Sequence, residues 1–189
     1  MTTPRATLCL FLLASCATPR PTPRPAQAPS ARELFPLAVG NRWTYRVRFL
    51  GVDQTLSVAI VSGQDGTFID NRGQRYHEGR GGLRDDQRYL LREPLAEGKS
   101  WSSVVSVSST EHYSVAAVGE AAEVPAGRFA GCVRVEGRTP GGADRAQLAE
   151  QTYCPGVGLV RVVTYEEISG RRGPPQWQEE LVAFRVAAR

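Results

Sequence analysis

From residue 42 the chain alternates between apolar and polar positions. Trp43, Tyr45, Val47 and Phe49 are separated by Thr44, Arg46 and Arg48, the period of a strand with one dry and one wet face. Leu56, Val58 and Ile60 continue that period after a turn near Gly51. Gly63-Gln64-Asp65-Gly66 is turn chemistry, and residues 67–70 read as a short strand. Residues 75–78, Gly79-Arg80-Gly81-Gly82 and residues 84–92 predict another hairpin. Further strands are predicted at 104–107, 113–118, 129–138, 159–168 and 177–186. Residues 143–151 come nearest to a helical period, without a good match to it. The pattern predicts an all-β fold: a single curved antiparallel sheet, or half-barrel, of about ten strands with little or no helix.

The pattern also repeats once. Pro36-Leu37-Ala38-Val39-Gly40-Asn41-Arg42-Trp43 and Pro94-Leu95-Ala96-Glu97-Gly98-Lys99-Ser100-Trp101 share P-L-A-x-G-x-x-W, and 94 − 36 places the copies 58 positions apart. Pro and Gly set a turn, after which Leu and Trp enter the core as a strand begins. Two related halves, 36–93 and 94–189, are therefore expected. Trp43, Trp101 and Trp177 are the candidate ligand or partner contacts, for instance by stacking on a sugar. A Trp at the first inward position of a strand more commonly packs the core.

The segment before this domain has a different character. Residues 1–15 carry Arg5 and then the apolar run Ala6-Thr7-Leu8-Cys9-Leu10-Phe11-Leu12-Leu13, the layout of a secretory signal. The run is too short to span a bilayer, which takes roughly 20 residues. Leu13-Ala14-Ser15-Cys16 resembles a lipobox, in which cleavage before Cys16 exposes a thiol that carries lipid. The resemblance implies a diacylglyceryl thioether on Cys16, an acyl group such as palmitate on its amino terminus, and stable anchoring. Ala17 rather than Asp after the cysteine favours the outer membrane. Residues 17–31 carry five prolines and little apolar beyond alanine, a composition that favours polyproline II and builds no core. Residues 16–31 therefore read as lipidated cysteine plus spacer, and 32–189 as one domain.

Charge and cysteines narrow the setting. The net charge is +4, and loss of Arg5 with the signal lowers it to about +3. Acidic residues are interspersed among arginines and no basic run exceeds Arg171-Arg172, so no nucleic acid partner is expected. Cys9 leaves with the signal and Cys16 takes lipid. Cys132 and Cys154 remain, an even pair in an oxidising compartment, which reads as a disulfide. The midpoint of 132 and 154 is 143, inside the turn-rich Thr139-Pro140-Gly141-Gly142-Ala143-Asp144-Arg145. A hairpin centred there sets the two cysteines opposite one another, at a Cα separation a disulfide accepts. The same register sets Glu136 opposite Glu150, which is unfavourable, and a bulge or slipped register is the expected relief.

Candidate chemistry is sparse. The chain lacks a G-x-S-x-G elbow, an H-E-x-x-H, a P-loop and a C-x-x-C. His77 and His112, beside Glu78 and Glu111, are the only histidines. Two such pairs brought together could bind zinc, but exposed strand positions suit them better. Asp85-Asp86 and Glu166-Glu167 point to opposite faces if they lie in strands. Serines 102, 103, 106, 108, 109 and 114 suit a polar strand face. Neither an enzyme nor a cofactor or metal is expected.

Phe35-Pro36-Leu37-Ala38-Val39-Gly40-Asn41-Arg42-Trp43-Thr44-Tyr45, Pro125-Ala126-Gly127-Arg128-Phe129 and Tyr153-Cys154-Pro155-Gly156-Val157-Gly158-Leu159-Val160 together resemble a group of uncharacterised bacterial envelope lipoproteins. The resemblance implies a curved antiparallel sheet, sometimes likened to the half-barrels of lipoprotein carriers. This chain departs from the carriers in lacking a clear helix to close the concave side. The expected function is a non-enzymatic interaction or structural module of the envelope, held by its lipid and docking an envelope protein. The alternative is a module holding an apolar (lipid) or glycan ligand on the concave face.

Overall fold

The computed structural model describes residues 28–187. The signal segment, Cys16 and the spacer as far as residue 27 lie outside the described residues, as do 188 and 189. One short helix, α1 (Ala31–Leu34), precedes twelve strands. These are β1 (Arg42–Phe49), β2 (Val52–Gln64), β3 (Thr67–Asp70), β4 (Arg75–Gly79), β5 (Gly82–Arg84) and β6 (Tyr89–Arg92). Then come β7 (Ser100–Ser106), β8 (Ser109–Val124), β9 (Gly127–Pro140), β10 (Arg145–Cys154), β11 (Gly158–Ile168) and β12 (Arg171–Arg185). All are antiparallel in one sheet, ordered β6-β5-β4-β3-β2-β1-β12-β11-β10-β9-β8-β7. The chain is a meander whose first and last strands pair side by side. The all-β antiparallel expectation holds, with twelve strands in place of about ten.

The extra strands come from two places. Residues 84–92 do not form one strand but are broken by a turn in which the Asp85 carboxylate accepts the N–H groups of Gln87 (2.8 Å) and Arg88 (2.7 Å). The second is β10, the cysteine hairpin's return strand. The folded part also starts earlier than residue 32. Ser30 caps α1 in a reciprocal capping box with Glu33, and Ala31 is buried.

The sheet curls until its ends nearly meet. Bulges let the long strands bend; the β8–β9 pairing alone shifts register three times. Trp43, Tyr45, Val47, Val58, Val115, Val133, Val135, Tyr153, Val160 and Leu181 face inward and are buried. The N-terminal segment plugs this interior at one end. Phe35 stacks on Trp43 (centroids 5.4 Å, planes at 12°) and meets Tyr76 and Tyr153 at 5.6 and 6.2 Å. Gly158 is needed there: a Cβ on it would lie 2.9 Å from Trp43 Nε1.

Both copies of the repeated motif make the same turn. Gly40 and Gly98 take left-handed φ values of 92° and 77°. Gly40 N–H donates to Ile60 O and Gly98 N–H to Val115 O, each at 2.9 Å. Asn41 O accepts from Ile60 N–H just as Lys99 O accepts from Val115 N–H. Each turn opens a six-strand run, β1–β6 and β7–β12. The junctions between the runs differ. β1 and β12 form a ladder from Arg42↔Arg185 to Phe49↔Trp177, whereas β6 and β7 are the two ends of the sheet.

Candidate functional site

Polar and exposed aromatic side chains gather in three places: the β6–β7 seam, the outer wall, and the barrel end opposite α1. At the seam, side chains replace the missing ladder. Trp101 Nε1 donates to Tyr89 O at 3.1 Å. Arg88 reaches from the turn before β6 to Glu111 on β8, with Nη1 at 2.7 and 2.6 Å from the two carboxylate oxygens. Its Nε donates to Asp85 at 3.4 Å. The Tyr113 hydroxyl also donates to Glu111, and burial, together with that carboxylate, pushes the phenol well above its ordinary value. Asp85 and Glu111 are buried, so Arg88 neutralises two carboxylates that would otherwise be desolvated and unpaired. This is a clasp, with every member occupied.

The outer wall is charged. Arg46 and Arg161 share Glu180 (2.8 and 3.1 Å), Arg48 pairs with Asp53 (2.8 Å), and Arg138 with Glu167 (2.6 Å). Arg134 reaches Glu120 at 3.3 Å and Glu136 at 2.6 Å. These side chains alternate with the inward apolar ones, so the wall is ionic outside and mainly apolar inside, the buried Asp85 and Glu111 being exceptions.

The end opposite α1 is more open. Phe49 and Trp177, paired across β1 and β12, face inward with ring centroids 5.9 Å apart. Glu179 follows on the same face, half-buried. Burial pushes its carboxyl above the ordinary value, opposed by a hydrogen bond from Trp177 and the charge of Arg72. Beside them the β1–β2 turn carries Leu50, 78% exposed.

The expected residues distribute as follows. Cys132 and Cys154 are bonded, with Cα atoms 4.2 Å apart, and both are buried. The expected register is kept, Glu136 opposite Glu150 included. Relief comes from ion pairs, Arg134 on Glu136 and Arg172 on Glu150, and not from a bulge or slip between them. Trp43 is 0% and Trp101 5% exposed, and each indole N–H is taken by a backbone carbonyl, Val157 O at 2.6 Å and Tyr89 O at 3.1 Å. Neither offers a face to a ligand, which corrects their place among the candidate contacts; Trp101 is spent on Tyr113, stacked at 5.5 Å. Trp177 alone stays partly open.

His77 meets Thr67 Oγ1 at 3.1 Å and Asp86 at 2.8 Å, and His112 meets Ser102 at 2.9 Å. Among the described residues no three His, Cys, Asp or Glu side chains are grouped to hold a metal ion. Asp85 and Asp86 occupy a turn and divide their work between Arg88 and His77. Reasoning from sequence missed Arg88 and Leu50, and placed Glu111 beside His112 and not in the clasp. Only Leu50 carried a signal, as an apolar residue where a hairpin turn calls for Asn or Asp. Cys16 lies outside the described residues.

No family model matches the chain, and no curated protein matches it. Among solved structures it is similar to a candidate lipoprotein from Parabacteroides distasonis at 14% identity, covering 80% of this chain and 98% of that one, with a TM-score of 0.47.

Proposed function

We propose that this protein is a lipid-anchored protein of the bacterial envelope whose barrel is a non-catalytic interaction or structural module in the aqueous phase. The observation that carries the reading is the polarity of the wall. Trp43, Tyr45 and Val47 point into the barrel while Arg46 and Arg48, between them in sequence, take part in ion pairs on the outside. A barrel embedded in a membrane has the reverse pattern, apolar outward and polar inward. Attachment therefore falls to the N-terminus, where Leu13-Ala14-Ser15-Cys16 resembles a lipobox. Lipid plus spacer would keep the module at a membrane surface, the outer membrane on the evidence of Ala17, where it docks an envelope protein.

Labelling cells with a radioactive fatty acid tests the anchor. Wild-type protein should carry label and sediment with membranes, whereas Cys16→Ala should carry none and be released. Retention of label in the variant would sink the proposal.

A second reading, a module holding an apolar or glycan ligand, rests on the inward, partly open Phe49–Trp177 pair. Mass spectrometry of the intact purified protein should then find a co-isolated ligand that Trp177→Ala loses. Repeated absence of any ligand, with a stable protein partner on crosslinking, leaves the first reading alone.

A further inference from the structure

Among the described residues nine large apolar side chains are exposed, and six of them, Phe49, Leu50, Val52, Val104, Val107 and Ile168, sit at one end of the barrel. They occupy the tips of three hairpins, β1–β2, β7–β8 and β11–β12, all directed away from α1. That concentration is not what a solvated rim needs.

Leu50 adds an independent oddity. It and Gly51 have φ values of 48° and 80°, the two left-handed positions of a type I′ turn, whose first position favours Asn, Asp or Gly. The same turn recurs twice among the described residues with small polar residues at its first position, Asp65-Gly66 at 50° and 76° and Ser169-Gly170 at 50° and 75°. Among the described residues only Leu50 puts a branched apolar side chain in the left-handed position. It bears a backbone cost and, exposed as it is, gains no packing in return.

We infer that this rim is a bilayer-contacting surface, with Leu50, Val107 and Ile168 as its contacts. The inference rests on the lipid-anchor reading above for which bilayer it meets. A convex turn of a few residues cannot supply the roughly 800 Å² per partner of a stable protein contact. An apolar tip entering the headgroup and acyl boundary needs a depth of only about 5–10 Å. Arg171, directly across from Ile168 in the hairpin, and Asp144, which accepts from Ser169 Oγ at 3.2 Å, put one charge of each sign at that tip.

The chain before the described residues sets the reach. The eleven residues from 17 to 27 have a contour of at most about 36–40 Å, at roughly 3.3–3.6 Å per residue. β1 carries Leu50 only about 26 Å from the α1 end, at roughly 3.3 Å per residue. Leu50 is therefore within reach of the bilayer that holds Cys16, and the β11–β12 tip, about 46 Å along β12 from Arg185 to Arg171 at roughly 3.3 Å per residue, meets it only if the domain tilts. β11–β12 runs beyond the level of Phe49, since Trp177 pairs with Phe49 while the hairpin continues to Ile168↔Arg171. The three tips thus define a plane inclined to the barrel axis, and the domain meets the bilayer tilted.

The test uses acylated full-length protein in vesicles of phosphatidylethanolamine and phosphatidylglycerol with brominated acyl chains. Leu50→Trp places a reporter at the rim, and Val39→Trp places one at the α1 end on another exposed apolar site. After subtraction of the wild-type signal, bromine should quench the Leu50→Trp emission several-fold more than that of Val39→Trp. Equal quenching, quenching of Val39→Trp alone, or quenching of neither would overturn the inference. Protein that fails to float with the vesicles counts against the anchor reading instead; quenching of Leu50→Trp in excess vesicles would still support the rim. Leu50→Asn should melt no lower than wild type and lose the protection that vesicles give the β1–β2 turn from hydrogen exchange. A lower melting temperature would mean that Leu50 is packed, and would also overturn it.

Discussion

Glu136 and Glu150 lie directly opposite one another across β9 and β10, and each carboxylate is held by an arginine from elsewhere on the same wall. Arg134, two residues along β9, takes Glu136 at 2.6 Å, and Arg172 on β12 takes Glu150. Like charges paired across strands destabilise a hairpin, so these arginines are expected to matter more than exposed ion pairs usually do. Replacing both with Met should lower stability by about 1 kcal/mol, or roughly 2–4 °C at this size. Adding Glu136→Gln should recover most of the loss. Thermal melts of the three proteins decide it, and a failure of Glu136→Gln to rescue would mean the repulsion is already screened by water.

The same hairpin is closed by Cys132–Cys154, which spans 22 residues. In the loop-entropy model a bridge of that span stabilises by roughly 3 kcal/mol. Replacing both cysteines with Ser should therefore lower the melting temperature by about 6–12 °C. A thiol count on the unfolded, unreduced wild-type protein should find none from this pair. One free thiol or more would show that the bridge does not form in the cell.

How much of this was legible depended on whether the signal was local. The faces of β1 follow directly from alternation at 43–49, and the disulfide from a turn midway between two cysteines. β10 was harder because Ala146, Gln147, Ala149, Glu150 and Gln151 lack β-branched character; partners on both sides make it a strand. Asp85-Asp86 looks like an acid pair until the backbone shows Asp85 closing a turn. The Ser30–Glu33 capping box was present in the sequence and marks where folding starts. The seam had no local signature. Arg88 and Glu111 are 111 − 88 = 23 positions apart, and only closure of the sheet brings them together.

Glu179 should give the barrel a pH-dependent weakness. Burial holds its folded pKa above the unfolded value, against the Trp177 hydrogen bond and the Arg72 charge. The folded state therefore binds this proton more tightly than the unfolded chain does. Its contribution favours folding at low pH and turns unfavourable as pH rises from the unfolded pKa through the raised folded one. Glu179→Gln removes that cost. The variant should melt above wild type near pH 7, with the difference shrinking towards zero near pH 4. The comparison is made between the two proteins at each pH, because Glu180 and Asp53, whose pKa values are lowered by arginine partners, titrate alike in both. A difference that grows as pH falls would reverse the assignment.

The clasp at the seam predicts where the barrel opens first. Between β1 and β12 a ladder from Arg42↔Arg185 to Phe49↔Trp177 must break together. Between β6 and β7 only side chains hold, chiefly Arg88 on Glu111 and Trp101 on Tyr89 O. Arg88→Met would leave Asp85 and Glu111 as buried carboxylates without their cation. Losing one partner of a fully buried pair costs about 3–5 kcal/mol. Because Arg88 keeps a 32% exposed side chain, roughly 2–3 kcal/mol is expected here. Trp101→Phe keeps a ring on Tyr113 but removes the indole donor and part of a buried ring, so it should cost about 2–3 kcal/mol, the lost hydrogen bond plus the cavity. Hydrogen exchange separates opening at the seam from general loosening. In Arg88→Met the amides of β6 and β7 should exchange well before those of β1 and β12. Uniform acceleration around the sheet would mean that the seam is no weaker than the ladders, and that Arg88 contributes only to overall stability.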